Sequence, residues 1–381
     1  MNNECRTYYG EYAIQELKSI WERLQHHPNS DYEHLLLVCN LRGEVIDPFA
    51  LGLWANGNCN ALVAGRVEET VLRPAIGYAR LPGPRVKAIT IVHEGLLGVM
   101  EQRDADAAVE ALRTASLGLG ADVIGIHFLP EDHLIWNALR RKPGIAMGIK
   151  RPHWTIHRTL RLGKEPGFLL RQMRSKHRAW IRRKQRDLAD TYPEKVCWIW
   201  HSLITDIPAL CEKLEAVART TYQRGLGAGF INNKETRDRF DLFARRGQLR
   251  VLLLEIDGLP KAFWLGSVYR GVFHSHATGY TPDVRDFEAG TLVFLHMVDE
   301  LVQEGISKLD FGLGDASYKE RFADNQWREA SIQVFAPTLK GCALYTYLGL
   351  CRWLEEKARY VVQRLGVFDQ VKQSWRRSLR L

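Results

Sequence analysis

Residues 249–280 read LRVLLLEIDGLPKAFWLGSVYRGVFHSHATGY, and the fold class follows from this stretch. Three runs rich in aliphatic and aromatic residues, Leu249–Ile256, Lys261–Tyr269 and Val272–Tyr280, are separated by Asp257-Gly258 and Arg270-Gly271. Asp-Gly between such runs is a strong hairpin signal, because the tight turn asks for positive φ at both central residues. The reading is three antiparallel strands. Beyond them, Thr291–Glu304 carries Leu292, Leu295, Met297, Val298, Leu301 and Val302 on one stripe at helical spacing. Gly305 stops that helix, and Lys308–Phe311 reads as a returning strand. Three strands, a helix and a further strand imply a mixed α/β sheet.

Working outward, the first half repeats this order. Leu35–Asn40, Ala61–Val67 and Ala88–Leu97 read as strands, Asp104–Leu119 as a helix, and Asp122–Leu129 and Trp154–Leu162 as further strands. The expected architecture is α/β, with tandem units built on mixed central sheets flanked by helices, plus a helical tail. Gly163-Lys164-Glu165-Pro166-Gly167 punctuates the chain. The expected domains are 1–165, 166–340 and a basic amphipathic tail, 341–381. The second domain opens on a basic helix, Phe168–Leu188, and includes a strand at Ser331–Ala336.

Composition narrows the function. Of 381 residues, 46% are hydrophobic and 25% charged, as in a folded globular protein. The formal charge of +9 favours acidic partners: a phosphorylated cofactor, a nucleic acid or an anionic membrane face. The basic residues concentrate in 161–195, with eleven Lys/Arg against four Asp/Glu, and in 341–381, with eight against three. Seven scattered cysteines without a Cys-x-x-Cys pair suit a reducing compartment and offer no zinc framework. The first residues have neither the basic start nor the apolar core of a signal peptide, and no run reaches about 18 apolar residues. A cytoplasmic protein is expected, with peripheral contact at the inner membrane face open to it. No helix-turn-helix or zinc pattern supports a nucleic-acid module.

The joint between strand Val272–Tyr280 and helix Thr291–Glu304 carries the functional reading. A helix N-terminus presents unpaired amides and the positive end of its dipole, which suits a pyrophosphate. The connecting loop is Arg285-Asp286-Phe287-Glu288-Ala289-Gly290. Gly290 allows close backbone approach and Arg285 is a phosphate partner. Asp286 and Glu288 bring negative charge there, and capping the helix is their alternative role.

The stretch 274–322 resembles the GNAT superfamily, in the branch of CelD-like acyltransferase domains related to the FemAB peptidyltransferases. The matching residues are His276-Ala277-Thr278-Gly279-Tyr280, Gly290-Thr291-Leu292, Gly305, Leu309 to Asp315 and Tyr318-Lys319, with Phe322 following. Ser175-Lys176-His177-Arg178 and Ile181-Arg182-Arg183 look similar to the same branch. The resemblance implies N-acyl transfer from acetyl-CoA or a longer acyl-CoA to an amine of a sugar, nucleotide-sugar or peptide-like acceptor, in polysaccharide or cell-envelope synthesis, with no metal. It implies that Thr278, Gly279 and Tyr280 flank the pantetheine arm, and that Arg285, Ala289, Gly290 and Thr291 hold the pyrophosphate. One departure stands out: the family pattern Gln/Arg-x-x-Gly-x-Gly/Ala has Glu288 at its middle glycine here.

The chemistry needs a base, an oxyanion donor and an acid for the thiolate. His276, on one strand face with His274, is the candidate base. Asp315 follows Gly312 and Gly314, and capping a short helix is its alternative. Tyr318 is the candidate acid, and Lys319 an anion partner. Arg174, Arg178, Arg182 and Arg186 form an i, i+4 stripe. Lys176, Arg178 and Arg182 are taken as acceptor-binding, and a solvated basic face is the alternative. Two rival readings are an aminoacyl-tRNA-dependent FemAB-type transferase, the one case in which a nucleic acid is a partner, and a non-catalytic scaffold.

Overall fold

The computed structural model describes residues 3–76, 79–141, 152–221, 224, 229–314 and 316–364. They form two compact units: the described residues up to 156 together with those from 327 onward make the first, and those between 157 and 326 make the second. The expected blocks 1–165 and 166–340 differ from this because two strands cross over, as follows.

In the first unit, β1 (Asn3–Tyr9), β2 (Val45–Ala55), β3 (Asn58–Val71) and β4 (Arg85–Gly98) are antiparallel neighbours. β5 (Val123–Pro130) then pairs with β4 in parallel, from Ala88↔Val123 to Ile91↔Ile126. In the second unit, after β6 (His153–Arg161), strands β7 (Val196–His201), β8 (Leu249–Ile256), β9 (Leu259–Tyr269) and β10 (Val272–Tyr280) are likewise antiparallel neighbours. β11 (Lys308–Asp310) pairs with β10 in parallel, from Val272↔Lys308 to His274↔Asp310. The last strand of each sheet comes from the other half of the chain. β6 pairs antiparallel with β11, and β12 (Asn325–Phe335) pairs antiparallel with β5. Each unit is therefore the same six-stranded mixed sheet, completed by exchange.

The turns behave as their residues require. Asp257 and Gly258 have φ of 55° and 73°, and Arg270 and Gly271 have 47° and 78°, as a two-residue primed turn demands. Helices sit on both faces. In the first unit, α1 (Glu11–Gln15), α2 (Lys18–Leu24) and α3 (Tyr32–Leu41) bury Ile14, Leu17, Trp21 and Leu35 against Ala50, Leu62 and Ala64. On the other face, α4 (Gln102–Gly118) and α5 (Leu134–Arg141) bury Ala108, Leu112 and Ile135 against Ile89, Ile91 and Ile126. In the second unit, α6 (Phe168–Gln172), α7 (Ser175–Thr191) and α10 (Ala289–Gln303) cover one face, while α8 (Ile207–Ala218) and α9 (Lys234–Arg245) cover the other. A short α11 (Ser317–Phe322) follows β11, and α12 (Leu339–Arg364) closes the described chain.

Two expectations need correction. Leu35–Asn40 is not a strand but part of α3. Asp31 caps that helix, its carboxylate accepting from the His34 amide at 3.0 Å, and a short apolar run looks alike in a buried helix and a buried strand. The tail is not a separate block either: α12 packs Leu344 and Leu348 against Leu72, Val86, Val123 and Phe335 of the first unit. Its residues 365–381, basic in part, lie outside the described residues. Among the described residues no helix is long and apolar enough to cross a membrane.

Candidate active site

β10 and β11 share only three residue pairs, ending at His274↔Asp310. β10 continues to Tyr280 while β11 stops. The two parallel strands therefore part, and β10 keeps a free edge over 275–280 on that side among the described residues. A bulge sharpens the opening. The β9–β10 register passes from Leu265↔Ala277 to Gly266↔Ser275, which leaves His276 as the extra residue. Gly266 makes this possible, since a Cβ there would lie 2.3 Å from the His274 carbonyl oxygen. An isolated glycine inside a strand pattern is the sequence signal of such a bulge. The first unit repeats the device: the register jumps from Val63↔Leu96 to Gly65↔Ile91, and a Cβ on Gly65 would lie 2.5 Å from the Thr90 carbonyl oxygen.

Next to the parted strands, Trp264 donates from Nε1 to Ser275 Oγ at 2.9 Å. Tyr318 meets the Trp264 ring edge-on, with centroids 5.5 Å apart, and lies beside Phe311 at 6.2 Å. This puts the tyrosine beside the free part of β10. Trp264 and Ser275 were not foreseen. Thr278 turns its hydroxyl inward, donating to the Phe263 carbonyl at 2.9 Å, and Gly279 packs near Phe263 and Thr221. Both leave the backbone of β10 to face the opening.

The helix start fits the expectation in part. α10 has no side-chain cap, and among the described residues no acceptor engages the Ala289 and Gly290 amides. The Thr291 amide, expected to hold a phosphate, instead donates to the Glu288 carbonyl at 2.8 Å, so it is spent within the first turn. Glu288 sits in the left-handed region at φ 57° with its carboxylate 3.4 Å from the Thr291 hydroxyl. The Tyr280 ring lies against Gly290, 3.1 Å from where a Cβ would be. Arg285 is exposed on the 3-10 turn Pro282–Phe287, and Lys184 of α7 donates to the Asp286 carbonyl at 2.7 Å. The basic helix thus packs against this loop. Lys176 and Arg182 are exposed on it, while Arg178 donates to the Arg171 carbonyl at 3.3 Å. The first unit differs at the equivalent place: α4 starts in a capping box, with Asp104 accepting from the Glu101 amide at 2.9 Å. Two carboxylates already occupy that helix start.

Two other candidates, His276 and Lys319, behave differently from expectation. His276 shares a 2.8 Å hydrogen bond with Ser267 and packs on Phe243. Burial, with Arg239 and His274 nearby, pushes its imidazole down to about 3, which makes it a weak base. Lys319 is buried, and its ammonium donates to the carbonyls of Gly312 at 3.0 Å and Leu313 at 2.8 Å. It braces the glycine turn and does not reach toward solvent anions. Asp315 lies outside the described residues. The strongest titratable cluster was missed. The Asp310 carboxylate accepts from His157 Nε2 at 2.8 Å and from the Gly312 amide at 2.7 Å, with His274 Nδ1 at 3.8 Å. Burial alone would raise its pKa; the His157 hydrogen bond, the two histidines and the amide hold it down to about 2. His157 stands on β6, more than 150 residues away in sequence, so no local pattern pairs them.

Residues 175–320 match the family described as Acetyltransferase (GNAT) domain. No curated protein matches the sequence. Among solved structures, FemX is similar over 89% of this chain and 99% of its own, at 11% identity and a TM-score of 0.57. L-PGS from Bacillus licheniformis is similar over 90% of this chain and 96% of its own, at 12% identity and a TM-score of 0.50. The fold is the one shared with FemX and L-PGS, and residues 175–320 match a GNAT domain.

Proposed function

We propose, from the premise of a GNAT-type fold, that the second unit transfers an acyl group from acyl-CoA to an amine. The observation that carries this is the parting of β10 and β11, which leaves the backbone of 275–280 free beside an uncapped helix start. A pantetheine arm would pair along that free edge, and its diphosphate would lie at the Ala289 and Gly290 amides with Arg285 nearby. The neutral amine nitrogen attacks the thioester carbonyl and forms the amide, the C–S bond breaks, Tyr318 gives its proton to the departing thiolate, and the proton lost by the amine nitrogen passes through water to restore the Tyr318 hydroxyl. Backbone amides at the His276 bulge would stabilise the oxyanion. A saccharide, nucleotide-sugar or peptide-like acceptor in envelope synthesis is the proposed partner, and α7 with Lys176, Arg178 and Arg182 is its proposed guide. The first unit, with its acid-capped α4, supports the reading of a degenerate copy.

A second reading has its own support. Glu288 at the helix start, the spent Thr291 amide and Tyr280 over Gly290 all weaken a diphosphate site. An aminoacyl-tRNA donor, steered by the basic helix, would not need it. Calorimetry with acetyl-CoA and with an aminoacyl-tRNA separates the two. Binding of acetyl-CoA below about 1 mM upholds the first. Binding of the tRNA alone favours the second, and binding of neither removes both.

A further inference from the structure

α12 lies along the first unit with one flank covered. Leu344, Leu348 and Cys351 are buried on that flank, and two polar contacts fix the helix in place. Lys340 pairs with Asp122 at 2.7 Å, and the Tyr347 hydroxyl donates to the Pro82 carbonyl at 2.9 Å. A surface helix ordinarily turns polar residues to the solvent side. α12 does the reverse over a long stripe. Steps of three and four residues, which share a helix face, run from Leu339 through Leu350, Trp353, Lys357 and Tyr360 to Arg364. Along this face Leu339 is 93% exposed, Leu350 55%, Trp353 53% and Tyr360 58%, with Leu354 beside them at 40%. Aliphatic and aromatic side chains gathered in this way mark a surface that meets a partner.

The charges of the helix select the partner. Its two glutamates, Glu355 and Glu356, line the cavity between α12 and the sheet, where Arg352 pairs with Glu356 at 3.4 Å. The solvent stripe holds no acid among the described residues. It holds Lys357 and Arg364, both exposed, and the Lys357 ammonium lies 5.9 Å from the centre of the Trp353 ring. The sequence that follows, 365–381, adds Lys372, Arg376, Arg377 and Arg380 against one acid, Asp369. Tryptophan and tyrosine among aliphatic and cationic side chains suit a helix lying at the headgroup level of a bilayer. α12 is not apolar enough to cross one. A second copy of this face would bring the same two cations and no acid to pair them, whereas an anionic bilayer supplies the acid. We propose that the outer face of α12 is a docking surface for an anionic membrane, with Leu350, Trp353 and Leu354 seated below the headgroups and Lys357 and Arg364 at the lipid phosphates.

Flotation of the full chain with lipid vesicles is the test. Vesicles of phosphatidylcholine with about one-third phosphatidylglycerol are expected to bind the protein about tenfold more strongly than phosphatidylcholine alone, and less so as salt rises. Leu350→Ser with Trp353→Ser removes the apolar anchors and should weaken binding about tenfold or more. Lys357→Glu with Arg364→Glu should abolish the preference for phosphatidylglycerol. All four side chains are exposed, so the unfolding midpoint should stay put in both variants. The proposal is overturned by binding to neither vesicle, by equal binding to both, or by undiminished binding of the two variants. It is also overturned by a dimer in sedimentation that the Leu350→Ser, Trp353→Ser variant dissolves, because a second copy then covers the face. The docking surface belongs to the first unit alone, so its failure leaves the transferase reading standing.

Discussion

Tyr318 can be tested apart from its packing. Tyr318→Phe keeps the ring on Trp264 and Phe311 and removes only the proton donor. Thioester cleavage, followed as free thiol, is expected to fall by about a hundredfold with an unchanged unfolding midpoint; an unchanged rate removes Tyr318 from the chemistry. Asp310 gives a different signature. Its folded pKa, about 2, is below the ordinary carboxylate value near 3.9 that the unfolded chain would show. The carboxylate therefore contributes stability above about pH 4, roughly 2 kcal/mol, and this is lost as pH falls through 2. Urea titrations of Asp310→Asn should show a deficit relative to the parent at pH 7 that shrinks steadily below pH 4. A deficit independent of pH would show that packing, not charge, holds the cluster.

At the scale of elements, the proposed donor site lies at the start of α10. Glu288 brings a negative charge to the positive end of the helix dipole, where a diphosphate would compete with it. Glu288→Gln is expected to tighten acetyl-CoA binding about three- to tenfold, read by calorimetry; unaltered or weaker binding places the diphosphate elsewhere. The elements themselves were largely legible. Asp257-Gly258 and Arg270-Gly271 announced β8, β9 and β10, because their turns need a backbone conformation that few residue pairs favour. The stripe from Leu292 to Val302 announced α10. α3 was not legible, because Leu35–Asn40 is too short for its period to separate a buried helix from a buried strand. Within the proposed site, the glycine at 290 and the tyrosine at 318 are what the family resemblance implies. The Asp310 cluster could not be read from the sequence, since tertiary pairing alone brings His157 beside it. Nor does spacing tell that Lys319 turns inward to two carbonyls.

Across the whole molecule, the exchange of β6 and β12 governs which pieces can stand alone. A fragment of residues 166–340, the domain expected from sequence, lacks β6 and so leaves one edge of β11 open. A fragment of 157–326 keeps β6 residues 157–161 and matches the compact unit. The first fragment is expected to be degraded rapidly in limited proteolysis and the second to resist; equal resistance would show that β6 is dispensable. The same exchange sets an order for synthesis. Arriving first from the ribosome, the N-terminal sheet waits with β5 unpaired on one side until residues 329–335 are made. The later-made sheet already has every strand it needs by residue 310. The unit translated second is thus the one able to finish first, and a chain that stops short of residue 329 would hold every strand of the second unit while β5 stays unpaired in the first.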